Sequence, residues 1–193
     1  MKLIFATQNQ NKIKELNQLM PDNVELLSLT DIGCDDDIPE TSPDLKGNAS
    51  QKSAYVVKKF NVNCFADDTG LEIEALNNEP GVLSARYAGM QKDSNDNMDL
   101  VLENLKDKSN RKARFRTVIS LVIDGKEYIF EGEVNGEIIK RKCGVDGFGY
   151  DPIFKPEGFD ITFAEMSLED KNKISHRGKA VRQLIAFLEN YNV

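Results

Sequence analysis

The sequence of 193 residues contains no tryptophan, one histidine and only three cysteines. The cysteines, Cys34, Cys64 and Cys143, are an odd number at wide spacings, and no two of them form a CxxC motif. Neither a disulfide framework nor a zinc site is therefore indicated. This use of cysteine is typical of a protein that works in a reducing cytoplasm.

Long apolar runs are also missing from the sequence. Each is far shorter than the roughly 18 residues that a membrane-spanning helix requires. The apolar stretch near the start, Leu3–Ala6, is too short for the core of a signal peptide and runs directly into polar residues. We therefore expect a cytoplasmic protein with no membrane partner.

Positive charge is in the minority, with 25 lysine and arginine residues against 32 aspartate and glutamate residues and a net charge of −7. Proteins that bind nucleic acid polymers rely on a broad basic face, which this balance disfavours. A small anionic ligand is compatible with it, because a few local cations and a divalent metal ion can hold a triphosphate inside an acidic protein.

The remaining composition is that of an ordinary globular protein, with 40% hydrophobic and 30% charged residues. A chain of this length can bury one full core without disulfides or bound metal ions, but it is short for two domains. No internal repeat, low-complexity segment or linker interrupts it. We predict a single domain that spans residues 1–193.

Strand-like and helix-like patterns alternate along the chain, which predicts an α/β fold with a mixed central sheet flanked by helices. Asp124-Gly125 is a strong signal for a two-residue hairpin turn. Strands are predicted at Leu3–Ala6, Cys64–Ala66, Leu71–Ala75, Ala113–Ile123 and Glu127–Val134. Helices are predicted at Asn11–Met20, at Asp44–Phe60, from a cap at Ser94 to Leu105, and after Ser175.

A polar loop, Thr7-Gln8-Asn9-Gln10-Asn11-Lys12, lies between the first predicted strand and the first predicted helix. Unpaired backbone N–H groups and the helix dipole favour the binding of a phosphate at such a loop, and Lys12 adds a full positive charge. The same residues are also typical of an asparagine cap followed by a solvated lysine.

Lys52 lies within the apolar stripe of the predicted helix Asp44–Phe60 rather than opposite it. Buried lysines are rare unless they are paired. Lys52 therefore either contacts an anion, such as a phosphate, or extends along the edge of the stripe until its ammonium group reaches water.

Two adjacent carboxylates, Asp67 and Asp68, follow a short apolar strand, where α/β proteins place groups that handle ligands. Because their charges repel, the pair is easier to hold if one of them binds Mg²⁺, with Glu40 as a second ligand. The alternative is a solvated turn in which Gly70 takes a positive φ angle. A similar acidic run, Asp35-Asp36-Asp37, is interpreted as a solvated loop.

The segment Gly147-Phe148-Gly149-Tyr150-Asp151-Pro152 combines glycines, aromatic rings and a carboxylate. Its glycines would let the backbone approach a flat base, an aromatic ring could stack on the base, and Asp151 or a backbone amide could bind its edge. A turn with core aromatics is the alternative. Further on, His176 opens the last helix beside Arg177, either as a structural residue or as a donor to a ring carbonyl.

Together and in this order, these segments closely resemble the inosine triphosphate pyrophosphatase family, whose members are also called dITP/XTP pyrophosphatases. The resemblance runs nearly from end to end. The motifs that carry it are Phe5-Ala6-Thr7-x-Asn9-x-x-Lys12, Glu40-Thr41, Asn48-Ala49 with Lys52, Ala66-Asp67-Asp68-Thr69-Gly70-Leu71, Pro80-Gly81 with Ser84-Ala85-Arg86-Tyr87, Gly147-Phe148-Gly149-Tyr150-Asp151-Pro152, and Ser175-His176-Arg177-Gly178.

The resemblance implies a homodimer of elongated α/β subunits, each with a nucleotide cleft between two lobes. It also implies hydrolysis of ITP, dITP and XTP to the monophosphate and pyrophosphate, by Mg²⁺-assisted attack of water on the α-phosphorus. The residues implied for the triphosphate are Thr7, Gln8, Asn9, Gln10, Asn11, Lys12 and Lys52. Those implied for Mg²⁺ are Glu40 and Asp68, with Asp68 also accepting the proton of the attacking water. Those implied for other substrate contacts are Thr69 and, around the base, Phe148, Gly149, Tyr150, Asp151, Lys171, His176 and Arg177.

The sequence departs from the family pattern at two places. Gln8 stands where many relatives have glycine, and Ser42–Gly47 replaces the more usual Gly, Phe and Glu pattern before Asn48. Two other functions stay open: a sensor that binds the same ligand without turnover, and a pyrophosphatase for another nucleotide, including damaged pyrimidines. The Asp67-Asp68 pair with Lys12 and Lys52 argues against the sensor.

Overall fold

A computed structural model describes residues 2–21 and 23–191 of the chain. The strands in this part of the chain are β1 (Lys2–Phe5), β2 (Glu25–Ser28), β3 (Cys64–Ile73), β4 (Glu79–Gly81), β5 (Lys112–Ile123), β6 (Lys126–Ile138) and β7 (Phe154–Pro156). The α-helices are α1 (Gln10–Asn17), α2 (Leu45–Phe60), α3 (Ser94–Asn104), α4 (Leu168–Ile174) and α5 (His176–Asn190). Short 3₁₀ helices lie at Thr30–Ile32, Glu74–Leu76, Ser84–Arg86, Asp151–Ile153 and Phe163–Glu165.

The strands form one mixed sheet in the order β2-β1-β3-β5-β6-β7, with β4 paired to β3. Strand β1 is parallel to β2 and to β3, whereas β4 is antiparallel to β3 and β7 is antiparallel to β6. The predicted α/β fold with a mixed sheet and flanking helices is confirmed.

By its internal contacts the chain divides into two compact units. The first unit comprises Met1–Asp68, Thr117–Gly132 and Arg177–Val193. The second comprises Thr69–Arg116 and Glu133–His176. Each is described below by itself.

In the first unit, apolar side chains of β1 and β3 lie on both faces of the sheet. Successive side chains of a strand point to opposite faces. Leu3, Phe5 and Phe65 therefore pack with α5 residues such as Val181 and Leu184. The side chains between them pack against Val56 of α2. These side chains are Ile4, Ala6, Cys64 and Ala66. Both faces of these strands are thus buried, which places any polar residue on them in a low-dielectric environment.

In the second unit, an aromatic cluster forms the centre of the core. The ring of Phe115 lies 4.7 Å from that of Phe154 and 6.3 Å from that of Phe163, measured between centroids. Leu71 on β3 and Val101 on α3 belong to the same fully buried cluster. Edge-to-face and offset ring pairs of this kind stabilise a core beyond the area that they bury.

The alternative of a solvated turn at Asp67-Asp68 is wrong, because β3 runs without interruption from Cys64 to Ile73. Gly70 lies inside this strand and does not have a positive φ angle. A Cβ atom at Gly70 would lie 2.7 Å from the carbonyl oxygen of Gly81 on β4. The glycine therefore permits the close pairing of β3 with β4 instead of forming a turn.

The other predicted elements are present with shifted ends. The Asp124-Gly125 hairpin is confirmed, with positive φ angles of 49° and 75°, as a type I′ turn requires. Helix α1 ends at Asn17 instead of Met20. The side chain that caps α3 belongs to Asp93 and not to Ser94. Strand β6 continues to Ile138, while β2, β4, β7 and α4 were not predicted.

Within residues 2–21 and 23–191, no helix combines the length and the hydropathy that crossing a membrane requires.

Candidate active site

The loop after β1 is tied together by its own side chains. Asn9 caps α1, and its Oδ1 accepts hydrogen bonds from the backbone N–H groups of Asn11 and Lys12 at 3.0 and 3.3 Å. The N–H of Asn9 donates to Oγ1 of Thr7 at 3.2 Å. The asparagine cap is therefore confirmed. The prediction of unpaired N–H groups is wrong at residues 9, 11 and 12, since these groups already have acceptors within the loop.

The parallel pairing of β1 with β3 brings Lys12 to Asp67. Phe5 is in register with Phe65, and the N–H of Ala6 donates to the carbonyl of Phe65 at 2.8 Å. The loop that leaves β1 therefore passes the middle of β3, where Nζ of Lys12 lies 2.7 Å from Oδ1 of Asp67. The carboxyl ends of parallel strands commonly hold ligand-handling groups for this reason.

Asp67 is also held by Arg177 at the start of α5. Nε of Arg177 lies 3.3 Å from Oδ2 of Asp67, and another guanidinium nitrogen donates to Glu15 on α1. All three side chains are buried. Burial acts to raise the pKa of Asp67, but the charges of Lys12 and Arg177 outweigh it and hold that pKa well below its ordinary value. Asp67 therefore stays a charged carboxylate at neutral pH.

Asp68 points to the opposite face of β3 and contacts α2. Nδ2 of Asn48 donates to Oδ2 of Asp68 at 3.1 Å, and Nζ of Lys52 lies 3.8 Å from Oδ1. Burial raises the pKa of Asp68 above its ordinary value, although Lys52 acts in the opposite direction. The two adjacent aspartates thus have different partners and opposite pKa shifts.

Lys52 holds Glu40 as well as Asp68. Its ammonium donates to Oε1 of Glu40 at 2.5 Å, and only 7% of Lys52 is exposed. Burial acts to lower the pKa of Lys52, but Asp68 and Glu40 together outweigh it and raise that pKa. Lys52 therefore meets anions inside the protein instead of extending to water, and its contact with a phosphate stays a prediction.

The segment after Glu40 is anchored to α2 by hydrogen bonds. The N–H of Thr41 donates to Oε1 of Gln51, and the N–H of Ser42 donates to Oδ1 of Asn48, both at 2.9 Å. Asp44 caps α2 by accepting from the N–H of Gly47. The departure at Ser42–Gly47 therefore retains a helix cap and keeps Glu40 beside α2.

One part of the acidic run before Glu40 contradicts its prediction as a solvated loop. Asp35 and Asp37 are exposed, as expected. Asp36 instead accepts hydrogen bonds from Tyr55 and Lys59 on α2. Its partners lie about 20 residues away in the sequence, and for that reason local composition did not reveal them.

The charges around Asp67 and Asp68 leave a formal excess of one negative charge. Two of the carboxylates, Glu40 and Asp68, both lie beside the ammonium of Lys52. Their oxygen atoms therefore point to one position that a cation occupies. The side chains that make up this charged group are three cations, Lys12, Lys52 and Arg177, and four carboxylates, Glu15, Glu40, Asp67 and Asp68.

Two carboxylates that lie beside one cation are compatible with a Mg²⁺ site. Mg²⁺ usually binds one or two carboxylates and completes its octahedron with water and phosphate oxygens. Among the described residues, no group of three or more His, Cys, Asp or Glu side chains could hold a metal ion. Glu40 and Asp68 would be the two carboxylates.

In the second unit, Asp151 and Lys171 form a buried ion pair. Nζ of Lys171 lies 2.6 Å from Oδ2 of Asp151, which also accepts from the N–H of Phe148 at 2.8 Å. Gly147, with a φ angle of 75°, makes room for this carboxylate, because a Cβ atom there would overlap it. The ammonium of Lys171 also lies 5.0 Å from the centroid of the half-buried Phe148 ring. The predicted base-binding segment is therefore held together by a buried ion pair and a backbone hydrogen bond.

The histidine of the chain is stacked in the core of the second unit. The His176 ring lies 4.6 Å from the Phe115 ring with an angle of 14° between the planes, and 3% of the residue is exposed. Tyr150 is also buried, and its hydroxyl donates to the carbonyl of Ser84 at 2.7 Å. Thr69 lies in β3, and Gly149 has a positive φ angle. Contacts of these residues with a base stay predictions.

A family model described as the Ham1 family matches residues 3–187. The chain belongs to the Ham1 family. It is 56% identical to a protein of Flavobacterium psychrophilum named dITP/XTP pyrophosphatase, over 98% of this chain and 100% of that protein. A protein of the same name from Flavobacterium johnsoniae is 57% identical over 97% of this chain and 98% of its own.

A solved structure of a Ham1 protein from Staphylococcus aureus has the same fold. It is 41% identical to this chain, with a TM-score of 0.90, and the match covers 98% of this chain and 99% of that one. The resemblance found in the sequence motifs is confirmed by these matches. The fold of this Ham1-family chain is therefore shared over nearly its whole length.

Two residues that hold charged side chains of the predicted site in this Ham1-family chain were not predicted from the sequence. Glu15 holds Arg177, and Asn48, quoted only as part of a motif, donates to Asp68. Glu15 could have been found, because it is three residues from Lys12 and so lies on the same side of α1. The role of Asn48 depends on how α2 packs against β3 and has no local signal.

Proposed function

We propose that this Ham1-family protein hydrolyses the non-standard purine nucleoside triphosphates ITP, dITP and XTP to the monophosphate and pyrophosphate. The proposal is supported by nearly full-length relatives whose names give that activity. The observation that carries it is the convergence of Lys12, Lys52, Glu40 and Asp68 in the first unit. Paired cations and hard oxygen ligands are what the binding of a triphosphate with a metal requires.

In the proposed mechanism, Asp68 accepts the proton of a water molecule that attacks the α-phosphorus in line with the departing pyrophosphate. The position of Asp68, which lies with Glu40 beside the ammonium of Lys52, supports this role. Mg²⁺ bound at Glu40 and Asp68 would supply neutralisation of phosphate charge. Lys12 and Lys52 would hold the phosphates, together with the loop after β1, whose substrate-binding residues are Thr7, Gln8, Asn9, Gln10 and Asn11. No covalent enzyme intermediate is needed.

The purine base is assigned to the second unit and to the start of α5. Phe148 would stack on the base, and the buried pair of Asp151 and Lys171 would keep Phe148 and its neighbours in place. Donors that meet the 6-oxo group of hypoxanthine or xanthine would face the amino group of adenine. One mispaired buried contact costs about 1–3 kcal/mol, or roughly 5- to 150-fold in selectivity. The remaining residues assigned to the substrate are Thr69, Gly149, Tyr150, His176 and Arg177.

Hydrolysis of ITP in ¹⁸O-labelled water tests this function directly. We expect IMP and pyrophosphate as the first products, with the label in IMP, because Lys12 and Lys52 take the outer phosphates and leave the α-phosphorus to Asp68. Both products are analysed by mass spectrometry, with ATP as the comparison substrate. IDP with orthophosphate would contradict the mechanism, and label found only in pyrophosphate would move the attack to the β-phosphorus. Binding of ITP without any product would indicate a sensor.

We expect turnover of ITP to stop in excess EDTA and to return on addition of Mg²⁺ or Mn²⁺. The physical reason is that the site already carries a formal excess of negative charge before a triphosphate with about four negative charges approaches. The measurement is pyrophosphate release during a metal titration of chelated enzyme. Undiminished release in EDTA would exclude the Mg²⁺ assignment.

We further propose, from the family resemblance, that the protein acts as a homodimer in the cytoplasm, without a membrane or nucleic acid polymer as partner. Sedimentation of the purified protein would measure the oligomeric state.

A further inference from the structure

Asp36 joins the loop before Glu40 to helix α2. Its Oδ2 accepts from the hydroxyl of Tyr55 at 2.6 Å and from the ammonium of Lys59, which lies one helical turn further along α2. Sγ of Cys34 lies 3.8 Å from the same oxygen. The hydrogen bonds from Lys59 and Tyr55 hold the pKa of Asp36 below its ordinary value, so the carboxylate stays charged.

The loop and α2 run past each other in a fixed register. Asp36 is attached at residues 55 and 59, and Glu40 is attached at Lys52. Residues 52, 55 and 59 lie within about two turns of α2. Both ends of the four-residue stretch from Asp36 to Glu40 are therefore attached to the same helix.

The loop after β1 is attached to the same residue. Nε2 of Gln8 donates to the backbone carbonyl of Asp36 at 3.4 Å. In this chain, Asp36 is thus the shared attachment point of α2, the loop after β1 and the segment that carries Glu40.

We propose that Asp36 is a positioning residue that holds Glu40 in place to bind Mg²⁺. The proposal rests on the proposed function, in which Glu40 is a metal ligand. Asp36 does not touch the substrate or the metal itself. It keeps the loop aligned along α2, so that the Glu40 carboxylate stays beside Lys52 and Asp68. Misplacing a ligand by about 1 Å is enough to weaken a site of this kind strongly.

The test compares Asp36→Ala with Asp37→Ala, which removes the same charge from an exposed neighbour. We expect Asp36→Ala to raise the Mg²⁺ concentration for half-maximal ITP hydrolysis at least about fivefold, with kcat at saturating Mg²⁺ within about threefold of the wild type. Asp36→Asn, which still accepts from Tyr55, should fall between the two. Binding of Mn²⁺ in the presence of a non-hydrolysable ITP analogue, followed by electron paramagnetic resonance, gives the same ranking without turnover.

Each of the following results would overturn the proposal. Equal shifts in Asp36→Ala and Asp37→Ala would mean that only charge matters. A lower melting temperature of Asp36→Ala with unchanged metal binding would reduce Asp36 to a structural residue. If wild-type activity needs no metal, or if Glu40→Gln leaves metal binding unchanged, the ligand assignment itself is wrong and this proposal is excluded with it. An effect of Glu40→Gln without one of Asp36→Ala would overturn this proposal alone.

Discussion

Asp68→Asn is expected to lower the turnover of ITP by about 10²–10⁴-fold while the protein stays folded. The amide cannot accept the proton of the attacking water, and it is a poorer ligand for Mg²⁺ than a carboxylate. Folding should tolerate the change, because burial raises the pKa of Asp68 and thus already disfavours its charged form. The amide oxygen can also keep the hydrogen bond from Asn48, which lies 3.1 Å away in the wild type.

The measurement is pyrophosphate release by Asp68→Asn at saturating Mg²⁺, with thermal unfolding as the check on folding. If Asp68→Asn retained more than a tenth of the wild-type rate, Asp68 would not be the proton acceptor. A variant that unfolded at a much lower temperature would show that the charged form of Asp68 stabilises the protein, contrary to its pKa shift.

Asp67→Asn is expected to lower the free energy of unfolding by about 3–5 kcal/mol, which is the usual cost of removing one partner from a buried ion pair. Lys12 and Arg177 would both stay buried and lose the charge that compensates them. Burial already lowers the pKa of Lys12, and the loss of Asp67 would lower it further. Turnover should suffer less than in Asp68→Asn, because the proposed proton acceptor and the proposed metal ligands remain.

Urea unfolding of the wild type, Asp67→Asn and Asp68→Asn at neutral pH compares these free energies directly. The pKa of Asp67 is lowered in the folded state, so its stabilising effect is complete above the unfolded pKa of about 4 and is lost as the pH falls towards the folded pKa. The difference between the wild type and Asp67→Asn should therefore shrink below about pH 4. Equal unfolding free energies for the two variants at pH 7 would contradict the proposed difference between the two aspartates.

The contrast between these neighbours follows from strand geometry. Residues 67 and 68 are adjacent in β3 and so point to opposite faces of the sheet. Asp67 meets two cations brought by α1 and α5, whereas Asp68 meets Asn48 and the more distant Lys52 on α2. A local sequence of two aspartates does not distinguish them, and only the elements packed on each face assign their chemistry.

Local sequence patterns predicted which helices and strands are present better than they predicted where each one begins and ends. Apolar periodicity located α2 to within one residue, because its buried stripe repeats regularly over 16 residues. The same approach divided β3 at Asp67, since charged residues usually end a buried strand. It missed the four-residue strand β2, whose pairing with β1 involves residues some 20 positions away.

The sequence by itself determined the family of this chain, its α/β class and the identity of its charged candidate residues, because ordered motifs and apolar periodicity are properties of the chain alone. Only the tertiary structure decided which charges meet: Asp67 with Lys12 and Arg177, Asp68 with Asn48, and Asp36 with Tyr55 and Lys59. The physical reason is that burial and the distance between charges set both pKa and ligand geometry. Those quantities exist only after strands and helices that are far apart in the sequence have packed together.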